Sequence, residues 1–169
     1  MYEQSEKYKV NYIPGKGVEV LGHWKDDMHD IRTRMLIDYY TYTIMEAEVT
    51  GPVTPFGEVC QIGLDNMDKM VGVQVGPGFN KIVKQNLMGK SGCTHLGEMV
   101  INSFKAGLQA ASRIVPDWVE EDDYSNRWSN WAILFKDSCI YFSQPDALHN
   151  LQDRVQNGDG PKRQEDSTD

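Results

Sequence analysis

The chain has 169 residues, 40% of them hydrophobic, and a net charge of -8 from 17 basic and 25 acidic residues. That length and apolar share suit one globular domain with a core of its own, and the acidic balance repels phosphate backbones and anionic lipid, which argues against nucleic acid or a membrane as partner. No apolar run is long enough for a bilayer-spanning helix, and the polar start MYEQSEKYK lacks an export pattern, so a cytoplasmic location is expected.

In chain order, YKVNYIPGKGVEVLG has a Pro-Gly turn followed by alternation through Val18 and Val20, which predicts one short strand. IRTRMLIDYYTYTIMEAEV is the clearest β signal. Ile31, Thr33, Met35 and Ile37 alternate before a turn near Asp38 to Tyr40, and Met45, Ala47 and Val49 follow it, predicting an antiparallel hairpin. After a loop rich in Pro and Gly, Leu64, Met67, Met70 and Val71 fall at helical spacing, as do Phe79, Ile82, Val83 and Leu87 in a second short segment ended by Gly89. A long helix is then expected from about Thr94 to Val115. Its apolar stripe is Leu96, Met99, Val100, Phe104, Leu108 and Ala111, and Pro116 follows its end. The acids between Asp117 and Asp123 read as a solvated loop, NWAILF and CIYF as closing strands, and Trp118, Trp128 and Trp131 as cover for a sheet face or pocket. The expected fold is α+β, an antiparallel sheet with one long and two shorter helices on one face. Residues 1–150 form a single domain in this reading, and 151–169 a disordered acidic tail.

Three cysteines, an odd number scattered over the chain, argue against a disulfide framework and for free thiols. Two chemical groups stand out. Cys93 and His95 sit at the head of the long helix in GKSGCTHLGEMV, where the helix N-terminus favours an anionic thiolate and where thiolate and imidazole are good donors to zinc or iron. The plain alternative for such a pair is a packed thiol beside a surface histidine. Cys60 ends the Pro/Gly loop after the hairpin, and His29 stands just before its first strand, flanked by Asp26, Asp27 and Asp30. The two ends of a hairpin lie at the same end of the sheet, so His29 and Cys60 are expected to be neighbours, and Cys93 and His95 join them if the long helix starts there. The set His29, Cys60, Cys93 and His95, with Asp27 as an alternative, is therefore the candidate metal site. Asp30 and Glu98 are the candidate carboxylates for acid–base work. Cys139, in an apolar run, reads as core.

DDMHDIRTRML, the hairpin, Cys60 and GCTHLGEMV together resemble a bacterial family defined as domain of unknown function 2889, over roughly Ile13 to Tyr141. The resemblance implies no activity. More distantly, the order of parts resembles the iron–sulfur scaffolds of NifU and IscU type, with His29, Cys60 and Cys93 at the three ligand places and His95 or an aspartate near His29 as the fourth. The first ligand is a histidine where the scaffolds have cysteine, and LMGKSG precedes Cys93 where they have Leu-Pro-Pro-Val-Lys. The functional expectation is a small metal-binding protein, zinc or iron, acting on a small carbonyl or acidic substrate. The alternatives are an iron–sulfur cluster carrier and a metal-free module with a Cys/His nucleophile, for which Cys60 with His95 or His29 is the better pairing. Partners in these readings are a small-molecule substrate or another protein, with a homo-oligomer allowed.

Overall fold

The computed structural model describes residues 1–111, 114–120, 135–147, 149–150 and 162–163. The chain divides into two compact units, Met1–Leu108 and Gln109–Asp169.

The first unit is built on a four-stranded antiparallel meander: β1 (Ser5–Ile13), β2 (Gly17–Lys25), β3 (Asp30–Asp38) and β4 (Ile44–Val53), in that order across the sheet. The N-terminal segment thus supplies two nine-residue strands where one short strand was expected. Pro14, Gly15 and Lys16 turn β1 into β2, with Gly15 at φ 67° and the Lys16 N–H donating to the Ile13 carbonyl at 3.0 Å. The β3–β4 hairpin is as predicted, with two irregularities. Ile37 pairs with Ile44 while Leu36 pairs with Glu46, so Met45 is an extra residue in β4, and a second shift lies between Asp30 and Arg32. The extra residue explains why Ile44 and Ala47, three apart, are both buried while Met45 is exposed.

Strand alternation sets one face inward: Val18, Val20, Gly22 and Trp24 of β2 lie opposite Ile37, Met35, Thr33 and Ile31 of β3. Against this face lie α1 (Glu58–Leu64), α2 (Phe79–Leu87) and α3 (Thr94–Ala111). The predicted helix through Leu64, Met67 and Met70 is α1 followed by a tighter 3₁₀ turn over Asp65–Met70. Spacing of three aligns side chains in a 3₁₀ turn, which is why those three residues are buried and Val71 is exposed. In α2, Phe79, Val83 and Leu87 are buried, and Phe79 meets Phe104 of α3 edge-on at 5.3 Å.

α3 lies along β2. His95 contacts Trp24, Met99 lies over Gly22, and Gly107 approaches Val20, so the stripe of residues at intervals of four runs down the strand toward its start. Ser103 and Gly107 keep that stripe thin. At the sheet edge, Tyr8 and Asn102 both donate to the Glu6 carboxylate, latching α3 to β1. The helix was expected to reach Val115; it is described through Ala111, and residues 114–115 are not part of it. Ile114–Val115 is instead a short strand, β5, paired in parallel with β6 (Lys162–Arg163).

In the second unit, CIYF is not a strand. The Ser143 N–H donates to the Cys139 carbonyl at 3.0 Å and the Gln144 N–H to Tyr141, which curls the backbone into turns and leaves Cys139 exposed rather than in a core. NWAILF apart from Phe135, Trp128, Trp131, residues 121–123 of the acidic run and most of the 151–169 tail lie outside the described residues.

One close approach fixes where α3 begins. The Cys93 N–H donates to the Leu87 carbonyl at 2.7 Å, and a Cβ on Gly92 would come 2.2 Å from that oxygen. Gly92→Ala is therefore expected to cost about 1–3 kcal/mol in urea denaturation. Gly76→Ala, where nothing lies within 4 Å of an added Cβ, should change stability little. Equal effects of the two substitutions would show that the Leu87–Cys93 contact imposes no such constraint.

Candidate functional site

The β2–β3 turn is organised by Asp26. Its carboxylate accepts the N–H groups of Met28 (2.8 Å) and His29 (2.7 Å), the indole N–H of Trp24 (3.1 Å) and the Nδ1–H of His29 (3.0 Å). Burial works against the charged carboxylate, but these four donors outweigh it and hold Asp26 far below the usual carboxylate range. A carboxylate anion only accepts hydrogen bonds, so the proton between the pair sits on His29 Nδ1, and Nε2 is the nitrogen left for other chemistry.

α1 and the head of α3 approach the same end of the sheet. Gly63 packs against Gly92 and Cys93, where a Cβ would meet Cys93 Cβ at 3.4 Å. Asn66 Nδ2 bonds both the Gly63 carbonyl (3.2 Å) and the Ser91 carbonyl (2.7 Å), tying the two segments. Cys60 is one turn before Gly63 on α1. Cys93 immediately precedes α3, and its carbonyl accepts the helix-opening bond from the Gly97 N–H at 3.1 Å.

These segments enclose a cleft of about 280 Å³ lined by His29, Cys60, Cys93 and His95, with Ile31 and Leu64 at its apolar side and Thr54, Phe56 and Val59 at its rim. Both cysteines are free and half-buried. The His95 ring contacts two others: Trp24 edge-on at 4.8 Å, and His29 at 4.3 Å, tilted 50°. Burial lowers the proton affinity of His95 and the nearby His29 lowers it further, against the opposing pull of Asp26 and Glu98, so His95 is neutral at neutral pH. As placed, the four ligand-type side chains do not converge. Among the described residues, no group of three or more His, Cys, Asp or Glu is arranged to hold a metal ion.

A profile of the family described as protein of unknown function (DUF2889) matches residues 16–109. The chain belongs to this family. Among curated proteins and solved structures, nothing matches it. The family match runs from the start of β2 through most of α3 and so contains Asp26, His29, Cys60, Cys93 and His95. Among the described residues no helix is long and apolar enough to cross a membrane.

The remaining sequence candidates lie off the cleft lining. Asp30 precedes the cleft-lining Ile31, so its side chain takes the opposite sheet face, where it accepts from Arg32 Nε (3.1 Å) and bonds His23 Nε2 (3.0 Å). The Arg32 hydrogen bond holds its carboxyl below the usual range against burial, with His23 adding to the effect. Asp27 is exposed at the tip of the turn, and Glu98 is exposed on α3, close enough to favour protonation of His95. Sequence reasoning gave no role to Trp24 or Asp26. For Asp26 the signal is the Asp-x-x-His spacing, in which an aspartate accepts the N–H groups two and three residues on and reaches the imidazole of the latter.

The lowered proton affinity of His95 carries a pH signature. Below pH ~6.5 the unfolded chain binds a proton that folded His95 refuses, so this contribution to stability is complete above that pH and falls as the solution is acidified. Urea denaturation at about pH 7.5 and about pH 5.5 should show wild type losing more stability across the window than His95→Gln. A variant that loses as much as wild type would remove His95 as the origin.

Proposed function

We propose that the cleft is a thiol site working without a bound metal on a small carbonyl compound, with Cys60 as nucleophile and His95 as its base. The observation that carries this reading is that Cys60 on α1 and His95 on α3 face one cleft from separate elements, with His95 kept neutral by burial. In the reaction, the Cys60 thiol passes its proton to His95 and the sulfur adds to the carbonyl carbon, the C=O pair moving onto oxygen. The first N–H groups of α3 have no partners within the helix, and they carry the positive end of its dipole to the developing oxyanion. For a carbonyl compound of ester or thioester type, collapse of the adduct breaks the bond from the acyl carbon to the alcohol or thiol group, which leaves with the proton from His95, and the acyl group stays on sulfur. Water, deprotonated by His95, then releases the acid and restores the thiol. The Asp26–His29 pair holds the second ring in place beside the base.

A second reading is the metal centre expected from the sequence, with zinc or iron held by His29, Cys60, Cys93 and His95. It is supported by four ligand-type side chains on one cleft and by His29, whose Nδ1 is occupied by Asp26 so that Nε2 is the free donor. It requires the side chains to draw together, because no three converge as they stand. The NifU/IscU-like order of His29, Cys60 and Cys93 supports a cluster-carrying version of the same reading.

Chelator-treated protein alkylated with iodoacetamide and mapped by mass spectrometry separates these readings. The exposed Cys139 is the internal reference. Half-buried Cys60 should react at least roughly tenfold faster than Cys139 at neutral pH, and His95→Gln should remove the advantage. Cys60 reacting more slowly than Cys139 in both proteins would sink the thiol reading. Metal at one ion per chain in untagged protein, lost in Cys93→Ala, or a visible absorbance in protein prepared without oxygen, would favour the second.

A further inference from the structure

The mouth of the cleft is apolar in a way that neither the core nor the thiol chemistry requires. Phe56 and Val59 both line the cleft, yet each is 71% exposed, and Ile62, the next residue along that face of α1, is 66% exposed. Large apolar side chains grouped in solvent at one opening mark a surface that something covers.

Three observations restrict what covers it. The collar is continuous with a cleft of about 280 Å³, which suits a short chain or a single ring and is too small for a helix or strand of another protein. The exposed charges on the flanking segments are more acidic than basic, with Asp27, Glu58 and Glu98 against Lys25 and Lys90, so an anion is disfavoured. Asp26, behind the histidines, stays charged and adds to that repulsion.

We propose that the compound handled by this site is a neutral carbonyl compound with an apolar tail, an alkyl chain or aromatic ring. Its carbonyl enters the cleft, and its tail lies on the collar of Phe56, Val59 and Ile62. The inference rests on the thiol reading for the role of the carbonyl. The tail-binding surface has a readout of its own.

The test titrates the full chain with unreactive neutral probes, primary alkyl amides of increasing chain length, alongside the carboxylates of the same lengths, following the ring signals of His29 and His95 by NMR. Affinity for the amides should rise by about two- to fourfold per added methylene until the tail outgrows the collar, and the carboxylates should bind more weakly at every length. Phe56→Ser and Ile62→Ser, both at exposed positions, should flatten the dependence on length. Affinity independent of chain length, tighter binding of the carboxylates, or self-association of the chain abolished by Ile62→Ser would each overturn the proposal. Steep chain-length dependence in a protein whose Cys60 is inert to iodoacetamide would leave the tail site standing and remove the thiol reading, so the two failures are distinct.

Discussion

A carboxylate taken out of water keeps its charge only if donors replace the water it lost, and Asp26 has four of them within Trp24–His29, besides the Tyr2 hydroxyl at 3.3 Å. Each donor is also a structural instruction. The two backbone N–H groups fix the path from β2 into β3, the indole N–H fixes the rotation of Trp24, and the imidazole N–H fixes both the tautomer and the orientation of His29. Trp24 and His29 then each meet the ring of His95. The position of one anion thus propagates through three rings to the head of α3. Its removal would leave an indole, an imidazole and two amides without their acceptor at once, a larger loss than any one bond suggests.

The same helix that delivers His95 supplies the seam of the fold. His95, Met99, Ser103 and Gly107 lie at intervals of four, one face of α3, and that face follows β2 from Trp24 toward Val18. Met99 lies over Gly22, and Gly107 approaches Val20, so each close contact pairs a large residue with a small one. Such a seam tolerates little sliding, because a shift of one turn would set Met99 against Val20 and empty the space over Gly22. The position of His95 in the cleft is therefore set along the whole length of the helix, and the Leu87–Cys93 bond fixes its first residue.

What was legible in the sequence was whatever a single period could carry. The β3–β4 hairpin, α2 and the start of α3 follow from alternation or helical spacing, and with them came the gathering of His29, Cys60, Cys93 and His95 at one end of the sheet. β1 was hidden because Tyr8, Val10 and Tyr12 alternate with Lys7, Lys9 and Asn11 on an edge strand that is only half buried, a weak apolar signal. The inserted Met45 breaks the period of β4, and a 3₁₀ turn imitates a helix over Leu64, Met67 and Met70. Asp30 was read as part of the site because it is next to His29, but in a strand the neighbour points the other way, and only the register reveals that it belongs to His23 and Arg32. Asp26 needed a turn geometry that hydrophobic spacing does not encode.

The two histidines of the cleft show why proximity in sequence is a poor guide to chemical role. His29 is surrounded by aspartates and hydrogen-bonded to one of them, which commits one nitrogen and anchors the ring. His95 contacts two rings and is half buried, with burial as the main cause of its lowered proton affinity. In the proposed reaction the two adjacent imidazoles divide the work, His29 positioned by a fixed anion and His95 taking and returning the proton. Cys93, two residues from His95, is committed through its backbone to opening α3, whereas Cys60 comes to the cleft on a separate helix beside the apolar collar. A nucleophile must approach both its base and the bound compound. Of the two thiols, Cys60 is on the element that also carries Val59 and Ile62, so a tail resting on that helix would hold its carbonyl beside that sulfur rather than the other.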